Sequence, residues 1–261
     1  MKIDLSTHQI NVIDEGPRNG APLVMLHALG TGAHLWDEVV SHMPPGLRII
    51  RPDLRGHRDS TAPAPPFKMG SLVRDVERVL DHLEIKDAVV VGLSIGGMIA
   101  QGLAVKRLDL VRGLVLANSA ARVGIASHWE KQIAEIRAMG ANAYQGQVFE
   151  GWFTPQMRET AAAKRWRTEL MDLSDEVLIG YLEALKTTDF YTPTSGLRLP
   201  TLGLASFQDH IIPPDMTRET VALIPGSETV ILRKSAHLCA IDQAETVATH
   251  ICNFLNKIGH I

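Results

Sequence analysis

Residues 88–101 read Ala-Val-Val-Val-Gly-Leu-Ser-Ile-Gly-Gly-Met-Ile-Ala-Gln, and the stretch changes character at its serine. Ala88 to Val91 is a short β-branched apolar run, the composition of a strand buried on both faces, whereas from Ile95 onward the apolar spacing is helical. Between them lies Gly92-Leu93-Ser94-Ile95-Gly96, a G-x-S-x-G placed where a strand turns abruptly into a helix. Such a turn strains the serine backbone and needs neighbours without a Cβ, a requirement that Gly92, Gly96 and Gly97 meet. The hydroxyl then stands clear of the sheet, and the N-terminus of the following helix offers free N–H groups to a developing anion. Ser94 is therefore the candidate nucleophile. The plainer alternative is a glycine-rich turn whose serine only caps a helix.

Working outward, 261 residues with 45% hydrophobic and 21% charged content fit one α/β domain carrying an insertion. A formal charge of −3 and a pI near 6.4 give no footprint for nucleic acid, and no basic block seeks a membrane surface. The first residues lack an apolar leader run and no segment is long enough to span a bilayer, so the expectation is a soluble cytoplasmic protein. Cys239 and Cys252 are too few for a disulfide framework, match no zinc spacing, and are expected to be buried free thiols. Ala62 to Pro66 reads as a short stiff loop.

Upstream of the central stretch, Ile3–Leu5 and Gln9–Ile13 read as two antiparallel edge strands. Leu23–Leu26 is a buried strand running into the small-residue loop His27-Ala28-Leu29-Gly30-Thr31-Gly32, and Leu47–Ile50 is the next. Apolar residues at 72, 73, 76, 79, 80 and 83 predict a helix from Ser71, its N-cap, to Leu83. Downstream, Gly113–Ala117 is another buried strand, and strands resume at Thr201–Ala205 and Thr229–Leu232, with helices at Asp215–Leu223 and Thr246–Ile258. This βαβα alternation predicts a mostly parallel central sheet flanked by helices. From about Ser127 to Lys186 several helical stretches follow one another, broken near Gly140, Thr154-Pro155 and Leu173-Ser174. The division is a core of 1–120 and 191–261 with an inserted helical cap of 121–190.

Asp209 lies just beyond the strand ending at Ala205, and His237 just beyond the one ending at Leu232, so both emerge at the carboxyl edge where open α/β sheets bind ligands. The chain order Ser94, Asp209, His237 is that of one family of Ser-His-Asp triads. His237 would exchange the serine proton and Asp209 would fix the imidazole tautomer. Among the other histidines, His27 and His57 follow strands and could line the site, His8, His82, His250 and His260 have no evident partner, and His210 adjoins Asp209 too closely to face it.

With these residues in place the sequence resembles the α/β-hydrolases over nearly its whole length. The signposts are His27-Ala28-Leu29-Gly30, Asp53-Leu54-Arg55-Gly56-His57, the turn at Ser94, and the loops bearing Asp209 and His237. More narrowly it resembles the 3-oxoadipate enol-lactonases, through Leu29-Gly30-Thr31 with Trp36-Asp37, Gly92 to Met98, Asn118 to Gly124 with Trp129, and Glu183-Ala184-Leu185 before Asp189. Two positions depart from the family: Arg58 replaces a loop glycine, and His210 stands where a proline tends to follow the acid. The resemblance implies hydrolysis of a small carboxylated lactone or ester, with backbone N–H groups of Leu29 and Ile95 as the oxyanion hole. It also implies substrate contacts from Trp129 and from Arg122, the chosen anchor for a carboxylate. The partner is a small-molecule substrate, with no metal and no organic cofactor, and the oligomeric state is not read. Other esters, amides, carbon–carbon bonds, cofactor-free haloperoxidation, and a non-catalytic binding protein are the alternatives within the same fold.

Overall fold

Eight strands assemble into one sheet in the computed structural model, which describes all 261 residues. They are β1 (Lys2–Asp4), β2 (Gln9–Glu15), β3 (Ala21–Leu26), β4 (Leu47–Pro52), β5 (Ala88–Leu93), β6 (Val111–Ala117), β7 (Thr201–Ser206) and β8 (Glu228–Leu232), in the order β1-β2-β4-β3-β5-β6-β7-β8. The β1–β2 and β2–β4 pairs are antiparallel and all others parallel. β1 is an edge strand as expected, but β2 lies inside the sheet. Its hydrogen bonds to β4 give it a second neighbour that a local reading of sequence does not reveal.

Side chains alternate across a strand, so Val24, Leu26, Val90, Leu114 and Leu116 enter one core while Leu23, Met25, Val89, Val91 and Val115 enter another on the opposite face. Helices Met69–His82 and Ile95–Lys106 cover the first face; the last helix, Ala244–Lys257, covers the second. Burial on both faces explains why these strands read as unbroken apolar runs. The helix expected from Ser71 begins two residues earlier. Ser71 lies in its first turn and bonds back to Lys68, donating to its carbonyl at 2.7 Å.

Between β6 and β7 the chain forms helices only, among them Ala126–Met139, Asn142–Trp152, Ala161–Met171 and Asp175–Lys186. Their breaks fall where the sequence placed them: Gly140 has φ +80°, while the hydroxyls of Thr154 and Ser174 accept the N–H of Met157 and Val177. Cys239 is buried, but Cys252 is only half-buried, on a helix whose other face packs. No helix is long and apolar enough to cross a membrane. The registers align the carboxyl ends of β3, β5, β6, β7 and β8 along one edge, pairing Leu26 with Gly92, Leu93 with Ala117, and Ser206 with Leu232.

Candidate active site

Ser94 sits on that edge with φ 58° and ψ −120°, between β5 and the helix Ile95–Lys106. An L-residue held there costs on the order of 1–3 kcal/mol. The turn is over-determined by its neighbours. A Cβ at Gly92 would lie 2.3 Å from the Gly96 carbonyl oxygen, and one at Gly96 would lie 2.4 Å from that of Leu26. Any larger residue would push the helix off the sheet. The Ser94 N–H donates to the Ala117 carbonyl at 2.9 Å, so β6 fixes the turn as well.

Asp209 and His237 meet as the sequence anticipated. His237 Nδ1 is 2.8 Å from Asp209 Oδ2, with the two residues only 2% and 3% exposed. The other oxygen, Oδ1, accepts the backbone N–H groups of Ile211 at 2.8 Å and Ile212 at 3.0 Å. Three donors thus converge on one carboxylate, and because an ionised carboxylate only accepts, the imidazole donates from Nδ1. His210 is exposed and takes no part, and Asp53 is occupied elsewhere, accepting from Asn11 Nδ2 and the Ala33 N–H.

Ser94 and His237 line one narrow cavity of about 60 Å³, together with Leu29 and Ile95. The remaining wall is apolar or aromatic: Met98, Val123, Trp129, Tyr144, Val148, Trp152, Leu185, Ile211 and Ile212. Trp129 is therefore where the sequence reading put it, its indole N–H held by the Val123 carbonyl at 2.8 Å. Arg122 is not. Its side chain is exposed and meets Asp189 at the surface, 3.5 Å away, and no Lys or Arg lines the cavity. Residue 122 follows β6 in sequence, but the chain turns its side chain outward where an acid is already at hand.

His27 and His57, expected as possible lining residues, instead pin the loop that carries Leu29. His27 Nε2 accepts the Leu54 N–H at 2.8 Å and His57 Nε2 accepts the Gly30 N–H at 2.9 Å, while their Nδ1 atoms reach the carbonyls of Ala28 and Arg55. Burial drives both pKa values down to about 3, so both rings are neutral. Gly30, at φ +81°, lets the inserted helices approach this loop: a Cβ there would stand 2.4 Å from Leu170 Cδ1. Sequence reasoning missed Tyr144 and Trp152. Their only signal was aromatic residues on a short helix between two breaks, which reads equally well as packing.

Comparison with known proteins agrees with this architecture. A family model described as the alpha/beta hydrolase fold matches residues 21–176. The 3-oxoadipate enol-lactonase 2 of Acinetobacter baylyi is 28% identical over 204 residues, covering 77% of this chain and 76% of that protein. A putative carbamate hydrolase of Klebsiella pneumoniae is 27% identical over 93% of this chain and 94% of its own length. The crystal structure of the enol-lactonase from Burkholderia xenovorans superposes with a TM-score of 0.93 at 27% identity, over 98% of this chain and all of that one. With more than half of its length matched by the family model, and with this sheet order and strand-to-helix turn, the chain belongs to the alpha/beta hydrolase fold family.

Proposed function

We propose that the chain is a serine hydrolase of small esters or lactones, with Ser94 as nucleophile, His237 as general base and acid, and Asp209 as the group that orients and stabilises the imidazole. The observation that carries this reading is the 2.8 Å bond from His237 Nδ1 to Asp209, made beside a cavity that Ser94 shares. Ser94 Oγ attacks the carbonyl carbon and passes its proton to His237 Nε2. The carbonyl oxygen becomes an oxyanion held by the N–H groups of Leu29 and Ile95, donors whose removal in such sites costs roughly 3–4 kcal/mol each. Collapse breaks the bond to the leaving oxygen, which takes the proton from His237. Water, deprotonated by the same imidazole, then cleaves the acyl-enzyme and regenerates Ser94. These steps require no metal or organic cofactor.

The cap is residues 121–190, which supply Val123, Trp129, Tyr144, Val148, Trp152 and Leu185 to the cavity, while the core supplies the reacting groups. This wall favours a neutral, apolar acyl group, because an unpaired carboxylate moved into it loses its hydration without gaining a cation. The likeness to the two enol-lactonases favours a second reading, a carboxylated lactone. Turnover of short neutral esters and lactones against a 3-oxoadipate enol-lactone-type substrate separates the two. The apolar wall predicts a kcat/KM at least about tenfold higher for the neutral compounds, a difference of roughly 1.4 kcal/mol. A preference for the carboxylated lactone would replace the first reading with the second.

A further inference from the structure

Two consecutive residues at the end of β6 touch the backbone of both reacting residues. Asn118 Nδ2 donates to the His237 carbonyl oxygen at 2.7 Å and lies 3.1 Å from that of Ala236, while its Oδ1 accepts the Ser206 N–H at 2.8 Å. Ser119 Oγ donates to the Ser94 carbonyl oxygen at 2.7 Å. Both side chains are fully buried. Asn118 has φ +44°, a left-handed conformation that asparagine tolerates better than most residues. That turn ends the strand and lets the neighbouring side chains diverge, one toward the loop after β8 and the other toward the turn after β5.

We propose that Asn118 and Ser119 are paired positioning residues that set the separation and orientation of Ser94 and His237; this rests on the triad reading above. On either side of His237 the loop is also held, the Ala236 N–H by Asp242 Oδ2 at 2.7 Å, the Leu238 N–H by the Trp152 carbonyl at 2.9 Å, and the Ser235 carbonyl by the Gln208 N–H at 3.0 Å. Asp209 holds the His237 ring, and Asn118 holds its backbone carbonyl. On the other side, a Cβ at Gly97 would lie 2.5 Å from Ser119 Oγ, so the helix after Ser94 approaches Ser119 as closely as a glycine allows. Because the two anchors are adjacent in one chain, joined through a single peptide unit of nearly fixed length, they act as a short rigid spacer between nucleophile and base. In the sheet, β6 lies between the strand that ends at Ser94 and those that lead to Asp209 and His237.

The test uses p-nitrophenyl acetate turnover and the rate at which a fluorophosphonate labels Ser94, each measured on Ser119→Ala, Asn118→Asp, the double variant and Ser94→Ala. Ser119→Ala removes one hydroxyl and is the variant least exposed to folding defects; Asn118→Asp keeps the shape but loses the amide donors. The expected result is a kcat and a labelling rate both lowered about tenfold in Ser119→Ala, with KM changed less than about twofold, since sub-ångström misplacement acts on chemistry rather than binding. The double variant should lose less than the product of the single losses, because one displaced pair cannot be displaced twice. A purely structural role would lower thermal stability and leave both rates of the folded protein intact. Ser119→Ala rates within about twofold of wild type, with Ser94→Ala inactive, would overturn the spacer and leave the triad standing. Full activity in Ser94→Ala would overturn both.

Discussion

Arg58 occupies a left-handed conformation, φ 50°, at the position where the resemblance leads one to expect glycine. A side chain there costs about 1–2 kcal/mol. Its guanidinium comes within 3.9 Å of Glu169 on the helix Ala161–Met171, and Glu169 also bonds His34 Nε2 at 2.6 Å. An ion pair this long and partly exposed offsets less than about 1 kcal/mol, so the strain outweighs the tie. Arg58→Gly should therefore raise stability by up to about 1 kcal/mol, read as a higher urea midpoint. A lower midpoint would mean that the tie between core and inserted helices is the stronger effect. At this scale the meeting of Asp209 with His237, beside the cavity that Ser94 lines, was legible because each of the three follows a strand whose end position is fixed by the sheet. The direction of Arg122 was not, because the partner that draws it outward, Asp189, is 67 residues away in sequence. Tyr144 and Trp152 were hidden for a related reason: which face of a short helix meets a cavity depends on how that helix docks.

The loop carrying Leu29 hangs on two neutral histidines, and this gives the fold an acid-sensitive element. His27 and His57 have folded pKa values near 3 against ordinary values near 6.5, so from pH 6.5 down to about 3 the unfolded chain binds protons that the native state refuses. Stability is complete above pH 6.5 and is lost as pH falls, by about 1.4 kcal/mol per pH unit for each histidine. Asp242 opposes this. Burial raises its carboxyl to about 6, so between 6 and its ordinary value of 3.8 the native state binds the extra proton. Two groups against one leave a net loss of roughly 1.4 kcal/mol per unit between pH 6 and 4.5, and His260, whose pKa burial also lowers, adds to it. Urea midpoints measured at pH 7, 6 and 4.5 should fall in that order, and His57→Gln should flatten the fall. A midpoint that stays level or rises across this range would show that at least one of the two rings is protonated in the native loop. The strands flanking this loop were readable as apolar runs. The interior place of β2 was not, because its pairing with β4 joins segments separated by β3 and a helical turn.

Across the whole molecule the division of labour follows from chain order: the sheet edge brings together residues from five strands, and the helices between β6 and β7 close over them. The fold was legible because strand–helix alternation leaves few topologies open. The cavity wall was less so, because it is built by side chains from several inserted helices whose packing no local pattern encodes. The formal charge of −3 adds no steering field for an anionic substrate, which agrees with an uncharged cavity wall. Central to the proposed function is a serine made nucleophilic by His237 and Asp209 acting as a unit. The most direct measurement is intact-protein and peptide mass spectrometry after treatment with a fluorophosphonate, on wild type and on Ser94→Ala, His237→Ala and Asp209→Asn. The expected result is one adduct per chain, on Ser94, absent in Ser94→Ala and slowed by at least about a hundredfold in His237→Ala and Asp209→Asn. An adduct on another residue, or labelling of Ser94 at an undiminished rate without His237, would contradict it.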